Sequence, residues 1–262
     1  MRLLFLGDVV GAPGVRAMGS LLPGLRKREQ IDAVVVNAEN ATNGSGLSPK
    51  DYRLLRSAGV DAITLGDHAY KKQEIAGVMQ SPGEPICKPA NFPLEAPGRD
   101  CVRFAVGGVE VAVISLLGRT FMRPVDCPFA AVDRVLKGLD PSVKVILVDA
   151  HAEATAEKYL LLHHLKGRVS AVLGTHTHIA TADEQIFSGG TAFQCDVGMC
   201  GPYDSILGRR VDRVLSTAIT FVPSSFDVAS GDVRLSGAIV DVDADTGRAI
   251  AIRRIQVKEG GF

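Results

Sequence analysis

Two histidines, His176 and His178, lie two residues apart directly after a short apolar run. In an extended segment, residues i and i+2 point to the same side, so both imidazoles can reach one small region. Neutral imidazole is the commonest metal-ligating side chain in proteins. The pair therefore suggests a metal site, and the other ligands must come from distant parts of the chain.

Side chains of metal-ligating types follow each of the predicted buried strands at 2–6, 33–37, 62–65, 144–148 and 171–173. In open α/β sheets, ligands bind outside the carboxyl ends of the strands. Four of the six histidines lie at these strand ends, so we interpret the set as one metal site at one sheet edge. Its predicted ligands are Asp8, Glu39, Asn40, Asp67, His151, His176 and His178.

Three imidazoles together with several carboxylates exceed what one tetrahedral zinc ion needs. The surplus predicts two metals that share a bridging carboxylate. Mixed imidazole and carboxylate ligation suits Mn, Fe or Zn better than Ca or Mg. We expect two divalent ions, Fe or Mn in the first place and Zn as a further candidate. A close metal pair lowers the pKa of bound water and clamps a phosphate group during in-line displacement.

Such chemistry also needs an acid that protonates the leaving oxygen. His68 directly follows Asp67, which places it at the rim of the site. An imidazole pKa near ~6.5 suits proton transfer at neutral pH. The alternative that His68 is itself a ligand stays open. Arg119 is a candidate for holding a phosphate oxygen of the substrate bidentately, and a surface salt bridge is the alternative for this residue.

Strand and helix patterns alternate as β-α-β-α-β over residues 2–80, which predicts parallel strands with crossover helices. Later segments read as two hairpins, at 102–115 and 233–257, and a strand at 218–222. No repeat or linker divides the chain. We therefore predict a single domain over 1–262, with an α/β fold whose second half is antiparallel. The predicted helices are 16–29, 49–57, 71–80, 128–139 and 153–165.

Composition restricts the class of partner. The chain has 29 Lys plus Arg and 29 Asp plus Glu, so its formal net charge is zero. That balance argues against a DNA partner, because nucleic-acid binding relies on a basic surface. Five cysteines without a CxxC pair favour a reducing compartment. No apolar stretch has the length of a membrane span or signal peptide. We expect a cytoplasmic protein with no membrane partner.

The chain resembles the calcineurin-like metallophosphoesterases, and within them the YmdB-like bacterial family, from Met1 to about residue 257. The resemblance implies a calcineurin-like metallophosphoesterase sandwich, with two mixed β-sheets flanked by helices, a two-metal phosphodiesterase site and a homo-oligomer. The blocks that carry it are LGDVVG (6–11), NAEN (37–40), GDH (66–68), KPANFP (88–93), GRTF (118–121), HAEAT (151–155), GTHTHIATAD (174–183) and DVGMCGPYDSILG (196–208).

The resemblance also implies how the ligands are shared, with Glu39 bridging the two metals, and it matches His68 to the family's catalytic histidine. One metal would take Asp8, Glu39, Asn40 and His178, and the other Glu39, Asp67, His151 and His176.

Residues 66–68 depart from the family pattern, which is usually Gly-Asn-His and here is Gly-Asp-His. The ligand carboxylates then supply three negative charges against four positive charges from two divalent ions. We expect tighter metal binding and a weaker pull on water and phosphate.

We therefore predict a binuclear metal-dependent phosphodiesterase that hydrolyses 2′,3′- or 3′,5′-cyclic nucleotides. Attack would come from a metal-bridging hydroxide, with His68 as general acid, and RNA-derived cyclic phosphates are among the candidate substrates. One alternative is a metal-dependent amidohydrolase, although its HxH pair characteristically follows the first strand of a βα barrel. A second alternative is a regulatory protein that binds a nucleotide and turns over little.

Overall fold

The first strand shows how the sequence builds a sheet that is covered on both faces. In the computed structural model, which describes residues 1–260, Leu4 and Leu6 pack with the helices of one side. Leu3 and Phe5 pack against the strands of a second sheet. Because side chains alternate across a strand and both faces are buried, the segment reads as a continuous apolar run.

Fourteen strands and six helices make up the described chain. In chain order they are β1 (Arg2–Leu6), β2 (Asp8–Val9), α1 (Gly11–Arg28), β3 (Ala33–Asn37), α2 (Pro49–Ser57), β4 (Ala62–Thr64), α3 (Ile75–Gln80), β5 (Ile86–Cys87), β6 (Cys101–Val106), β7 (Val109–Leu117), α4 (Pro128–Gly138), β8 (Val145–His151), α5 (Thr155–Leu165), β9 (Ala171–Thr175), β10 (Gln185–Phe187), β11 (Thr191–Gln194), β12 (Met199–Asp204), α6 (Val211–Thr220), β13 (Gly231–Val242) and β14 (Ala249–Lys258).

The strands form two mixed sheets. The first has the order β2-β12-β13-β1-β3-β4-β5, with β14 paired to β13, and the second has the order β10-β11-β9-β8-β7-β6. Strands β1, β3 and β4 are parallel neighbours, and so are β7, β8 and β9. The carboxyl ends of each parallel set therefore lie on one edge of their sheet. The predicted parallel strands and both predicted hairpins are confirmed.

The molecule has four layers, helices, first sheet, second sheet and helices, with an apolar cluster between each neighbouring pair. One lies between the first sheet and helices α1, α2 and α3, one between the two sheets, and one between the second sheet and helices α4 and α5. This is the sandwich of two mixed sheets flanked by helices that the resemblance implies. It is not the eightfold βα barrel on which the amidohydrolase alternative depends. Since strands contribute to neighbouring clusters, we infer that the chain forms one domain.

The sequence-based prediction is wrong for three helical regions. Helix α1 begins at Gly11, five residues before the predicted start at 16. The predicted strand at 218–222 lies at the end of helix α6, which continues to Thr220. Val211, Leu215 and Ile219 recur every fourth residue, a helical period that the β-branched residues around them obscure. Helix α3 begins only at Ile75, because the segment that follows β4 forms turns at the site.

No helix in the described part of the chain is both long and apolar enough to cross a lipid bilayer.

Candidate metal centre

Five segments from two sheets bring the predicted ligands together. Strands β1, β3 and β4 belong to the first sheet, and strands β8 and β9 to the second. The expectation of a single sheet edge is therefore wrong, because the site forms where the carboxyl edges of two stacked sheets meet. The side chains delivered there are Asp8 at the start of β2, Glu39 and Asn40 after β3, Asp67 after β4, His151 at the end of β8, and His176 and His178 after β9.

Four of these residues form the tightest group. One donor atom from each of Glu39, Asp67, His151 and His176 lies within 4.8 Å of the other three. His151 Nε2 is 3.2 Å from Glu39 Oε1 and 3.3 Å from Asp67 Oδ1. His176 Nδ1 is 3.1 Å from His151 Nε2. Two imidazoles and two carboxylates thus face a common point, as the ligands of one cation must.

The other predicted ligands lie beside Glu39. Asn40 Nδ2 is 3.4 Å from Asp8 Oδ1, 3.3 Å from Glu39 Oε1 and 3.3 Å from His178 Nε2. The distance from His178 Nε2 to Asp8 Oδ1 is 3.6 Å. An amide can be turned to exchange its oxygen and nitrogen, and the turned Asn40 would present its oxygen to this group. Glu39 Oε1 thus lies within 3.3 Å of both His151 Nε2 and Asn40 Nδ2, so it contacts both groups.

The charges of the site fit divalent cations. Asp8 and Glu39 are fully buried, and the ion pairs found for them in residues 1–260 involve only histidines. Burial is the largest influence on Asp8 and opposes its ionisation, but His178, His151 and His176 together hold the pKa of Asp8 below its usual range. Burial likewise disfavours a charged His151, yet Glu39, Asp67 and Asp8 together raise its pKa well above the usual value. Buried carboxylates without Lys or Arg partners call for another source of positive charge.

Glycine at position 66 keeps the centre of this group open. A Cβ atom there would lie 2.3 Å from His151 Nε2 and 2.4 Å from Glu39 Oε2. Any other residue would therefore place a methyl or larger group among the ligand atoms. The open space and the two buried carboxylates without Lys or Arg partners, Asp8 and Glu39, both fit bound cations.

His68 lies at the rim, as predicted, with its side chain 28% exposed. Its backbone N donates to Glu39 Oε2 at 2.9 Å, and its ring Nδ1 is 2.8 Å from Asn40 Oδ1. Ring Nε2 is 3.5 Å from Asp67 Oδ2. The ring is outside the group of four donor atoms and borders the open cavity. This position suits a residue that reaches a bound substrate.

A cavity of about 300 Å³ opens over the site. Besides the predicted residues, its lining includes Glu153, Leu207 and Arg209, which the sequence analysis missed. Glu153 lies two residues after His151 on the same segment, a spacing that could have indicated it. Arg209 lies in the short connection between β12 and α6, and no pattern in the sequence connects it to the ligands.

Arg119 lies outside the lining of this cavity. Its backbone N donates to both carboxylate oxygens of Glu157 at 3.1 Å, and the residue is exposed. The structure thus does not bring Arg119 together with the other predicted site residues.

A sequence profile of the family described as YmdB-like protein matches residues 4–255. A 2′,3′-cyclic-nucleotide 2′-phosphodiesterase of Bacillus subtilis (strain 168) is 42% identical over 259 residues, which cover 99% of this chain and 98% of that protein. A hypothetical protein from Thermus thermophilus has a similar structure, with a TM-score of 0.93, 44% identity, and coverage of 99% of this chain and 100% of that one. A novel phosphatase from Mycoplasma pneumoniae has a TM-score of 0.92 and is 32% identical. The match covers 98% of this chain and 93% of that one. The chain therefore belongs to the YmdB-like family of calcineurin-like metallophosphoesterases.

Proposed function

We propose that this phosphoesterase hydrolyses cyclic nucleotides, with 2′,3′-cyclic nucleotides as its first substrates, and that it uses two divalent cations. The carrying observation is the convergence of donor atoms from Glu39, Asp67, His151 and His176 within 4.8 Å. Further support comes from the Bacillus subtilis relative, named as a 2′,3′-cyclic-nucleotide 2′-phosphodiesterase. The 3′,5′-cyclic nucleotides and RNA-derived cyclic phosphates remain secondary candidates.

Glu39 would contact both cations. Manganese or iron suits this mixture of imidazole and carboxylate, with zinc as a further candidate. When bound, such a pair acidifies a water molecule and neutralises charge on the phosphate oxygens. The two ligand groups would be Asp8, Glu39, Asn40 and His178 for one cation, and Glu39, Asp67, His151 and His176 for the other.

The protein's own residues would then hold the substrate and move one proton. The attacking water would give up a proton to solvent and bond to the phosphorus of the cyclic phosphate in line with the departing 2′ oxygen, and the bond from phosphorus to that oxygen would break. His68, at the rim of the cavity, would donate a proton to the 2′ oxygen and regain one from solvent before the next turnover. The product is a 3′-nucleotide with a free 2′ hydroxyl group.

Arg209 would contact the anionic phosphate. Among the described residues that line the cavity, it is the only Lys or Arg. Its guanidinium donates to the backbone oxygens of Asn43, Gly44 and Phe226, which fix its orientation. A guanidinium has five N–H groups, so donors remain for a phosphate oxygen. This placement favours Arg209 over Arg119 as the substrate contact, and the role of Arg119 stays a prediction.

We expect Arg209→Gln to raise KM for a 2′,3′-cyclic nucleotide by about ten- to hundredfold, the value of one hydrogen bond to a charged group. The kcat should change little if Arg209 binds substrate and transition state equally. Steady-state kinetics measure both constants. Arg119→Gln is the matched control and should leave KM unchanged. An increase in KM for Arg119→Gln alone would contradict this proposal and would make Arg119, rather than Arg209, the substrate contact.

Asp67 should strengthen metal binding at the expense of turnover. Burial is the largest influence on Asp67 and opposes its ionisation, but its hydrogen bond with His151 and the charges of His151, His68 and His176 together hold the pKa below its usual range. The carboxylate is therefore charged at neutral pH. Asp67→Asn removes one of three ligand charges and preserves the shape of the side chain. We expect Mn²⁺ affinity to fall at least about tenfold, because charge pairs at ligand distance are worth several kcal/mol.

In the same variant, we expect turnover at saturating Mn²⁺ to rise or the preferred metal to change. Calorimetric titration and assays with Mn²⁺, Fe²⁺ and Zn²⁺ measure these quantities. Unchanged affinity, turnover and metal preference in Asp67→Asn would contradict the charge argument.

The proposed activity is tested by incubating the purified protein with Mn²⁺ and either 2′,3′-cyclic or 3′,5′-cyclic AMP. Chromatography should show conversion of the 2′,3′-cyclic compound to 3′-AMP. Stoichiometric binding without product would instead favour the regulatory alternative, and hydrolysis of amides alone would favour the amidohydrolase. A homo-oligomer, a cytoplasmic location and the absence of a DNA partner stay predictions, and light scattering after gel filtration tests the first.

A further inference from the structure

Threonine and histidine alternate over Thr175, His176, Thr177 and His178, and the two residue types face opposite ways. The Thr175 hydroxyl donates to Asp149 Oδ1 at 2.6 Å. His176 Nδ1 faces the metal centre, as described above, and so does His178 Nε2. Strand β9 ends at Thr175, and both histidines have positive φ, so the expected extended conformation of this segment is wrong and the alternation comes from a bent backbone. The threonines are thus held by the protein interior, whereas the histidines point into the site.

Two chains of hydrogen bonds, here called anchors, hold the threonines. The first anchor connects Asp149 to Thr175 and Thr175 to His151. Asp149 is fully buried and also accepts from Thr64 Oγ1 at 2.6 Å and from Asn37 Nδ2 at 2.9 Å. Thr175 Oγ1 is 2.8 Å from His151 Nδ1. A hydroxyl has a single proton, and that of Thr175 is directed to Asp149. The Thr175 oxygen can therefore accept from Nδ1–H of His151, and this contact is shorter than that of the same nitrogen with Asn37 Nδ2 at 3.3 Å.

This arrangement selects one tautomer of neutral His151. With the proton on Nδ1, the lone pair is on Nε2, the atom that lies 3.2 Å from Glu39 Oε1 and 3.3 Å from Asp67 Oδ1. Outer hydrogen bonds of this kind fix ring orientation and tautomer at metal sites. Thr175 thus presents the free electron pair of His151 to the ligand group.

The second anchor runs from Lys158 through Asp196 to Thr177. Asp196 Oδ2 accepts from the Thr177 hydroxyl at 2.6 Å, from the Thr177 backbone N at 3.1 Å and from Lys158 Nζ at 3.0 Å. Gly198 N donates to the other carboxylate oxygen at 2.8 Å. Lys158 and Asp196 are both fully buried, so their charges balance inside the protein.

Thr177 is held between two residues with unusual backbone conformations. His176 has φ 89° and His178 has φ 64°, both in the region that favours glycine. Such conformations cost free energy and persist only where the surroundings enforce them. The contacts of Asp196 with both the backbone and the side chain of Thr177 provide that constraint. They keep the two histidines aimed at the site.

We propose that Thr175 and Thr177 are positioning residues for the histidine ligands, acting from the buried carboxylates of Asp149 and Asp196. The inference rests on the proposed metal site and adds the two threonines that orient its histidine ligands. A purely structural role makes a different prediction. If the hydroxyls served only to satisfy buried carboxylates, their loss would lower stability without changing the metal affinity of the folded protein.

The test compares Thr175→Val and Thr177→Val, which keep side-chain shape, with Thr175→Ser and Thr177→Ser, which keep the hydroxyl. Metal-stripped proteins are titrated with Mn²⁺ in a calorimeter. We expect the valine variants to bind about 10- to 100-fold more weakly, the usual loss when an outer partner of a ligand is removed. The serine variants should restore wild-type affinity.

A matched control comes from Thr191, another fully buried threonine of the second sheet, whose hydroxyl donates to Val169 O at 2.6 Å. Thr191→Val should lower the melting temperature and leave Mn²⁺ affinity unchanged. Valine variants at 175 and 177 that bind Mn²⁺ as tightly as this control would overturn the inference. Wild-type protein that binds no Mn²⁺, Fe²⁺ or Zn²⁺ would overturn the proposed function instead.

A second measurement does not depend on any variant folding. Nitrogen-15 NMR of the histidine rings of the wild-type protein loaded with diamagnetic Zn²⁺ reports which ring nitrogen of His151 carries the proton. We expect the Nδ1–H tautomer for His151. An Nε2–H tautomer would overturn the Asp149–Thr175–His151 anchor.

Discussion

Replacing His68 with alanine should lower kcat for a 2′,3′-cyclic nucleotide by about 10²- to 10⁴-fold, the usual contribution of a general acid. The metal content should stay at the wild-type value, because His68 lies at the cavity rim and belongs to neither proposed ligand group. Its side chain is 28% exposed at the cavity rim, so a substrate can reach it. Turnover measured together with elemental analysis of the same sample checks both statements.

The leaving group separates proton donation from other roles of His68. The p-nitrophenolate ion departs without protonation, whereas a ribose 2′ oxygen needs a proton to leave. His68→Ala should therefore lose much less activity on bis-p-nitrophenyl phosphate than on a 2′,3′-cyclic nucleotide. Equal losses on both substrates would contradict the general-acid role. Loss of bound metal in His68→Ala would make the residue a ligand.

Glu39→Gln is expected to have the largest effect on the metal centre. Glu39 is fully buried and faces ligands of both groups, His151 at 3.2 Å and Asn40 at 3.3 Å. Glutamine keeps the shape but removes the charge of the bridging position. We expect metal content to fall to one equivalent per chain or less. The kcat should fall at least about 10³-fold, because metal ions supply several kcal/mol of transition-state stabilisation.

Thermal unfolding gives a readout of Glu39→Gln that does not depend on activity. A ligand that binds only the folded state raises the melting temperature according to its affinity. Mn²⁺ should therefore raise the melting temperature of the wild-type protein and have little effect on the variant. Glu184→Gln, at a surface ion pair with Arg254, is the matched control and should respond as wild type. A full Mn²⁺ shift in Glu39→Gln would remove Glu39 from the ligand set.

The sequence predicts the site residues best where polar side chains of metal-ligating types follow the ends of buried strands. Each apolar run is short and ends in Asp, Glu, Asn or His, and parallel pairing then brings those residues to a sheet edge. That logic predicted the side chains that the structure brings together around Glu39, but it missed Glu153, which lines the same cavity. It could not show that two sheets share the site, because a buried strand has the same pattern in either sheet. Strand pairing such as β8 with β9 is a tertiary property.

Contacts between distant residues were beyond sequence reasoning. The hydroxyls of Thr175 and Thr177 bond to Asp149 and Asp196, and no local pattern pairs them. Arg209 enters the cavity only because its loop folds against Asn43 and Gly44. Helix α6 was mistaken for a strand because its β-branched residues favour strands locally and it buries none of its residues against the described chain.

The most direct test of the central claim is the metal stoichiometry of the wild-type protein. The chain is stripped with a chelator, reconstituted with excess Mn²⁺, freed of unbound metal and measured by mass spectrometry against protein concentration. Convergence of seven ligand side chains on two adjacent groups predicts two equivalents per chain. A value that saturates at one equivalent or below contradicts a binuclear centre.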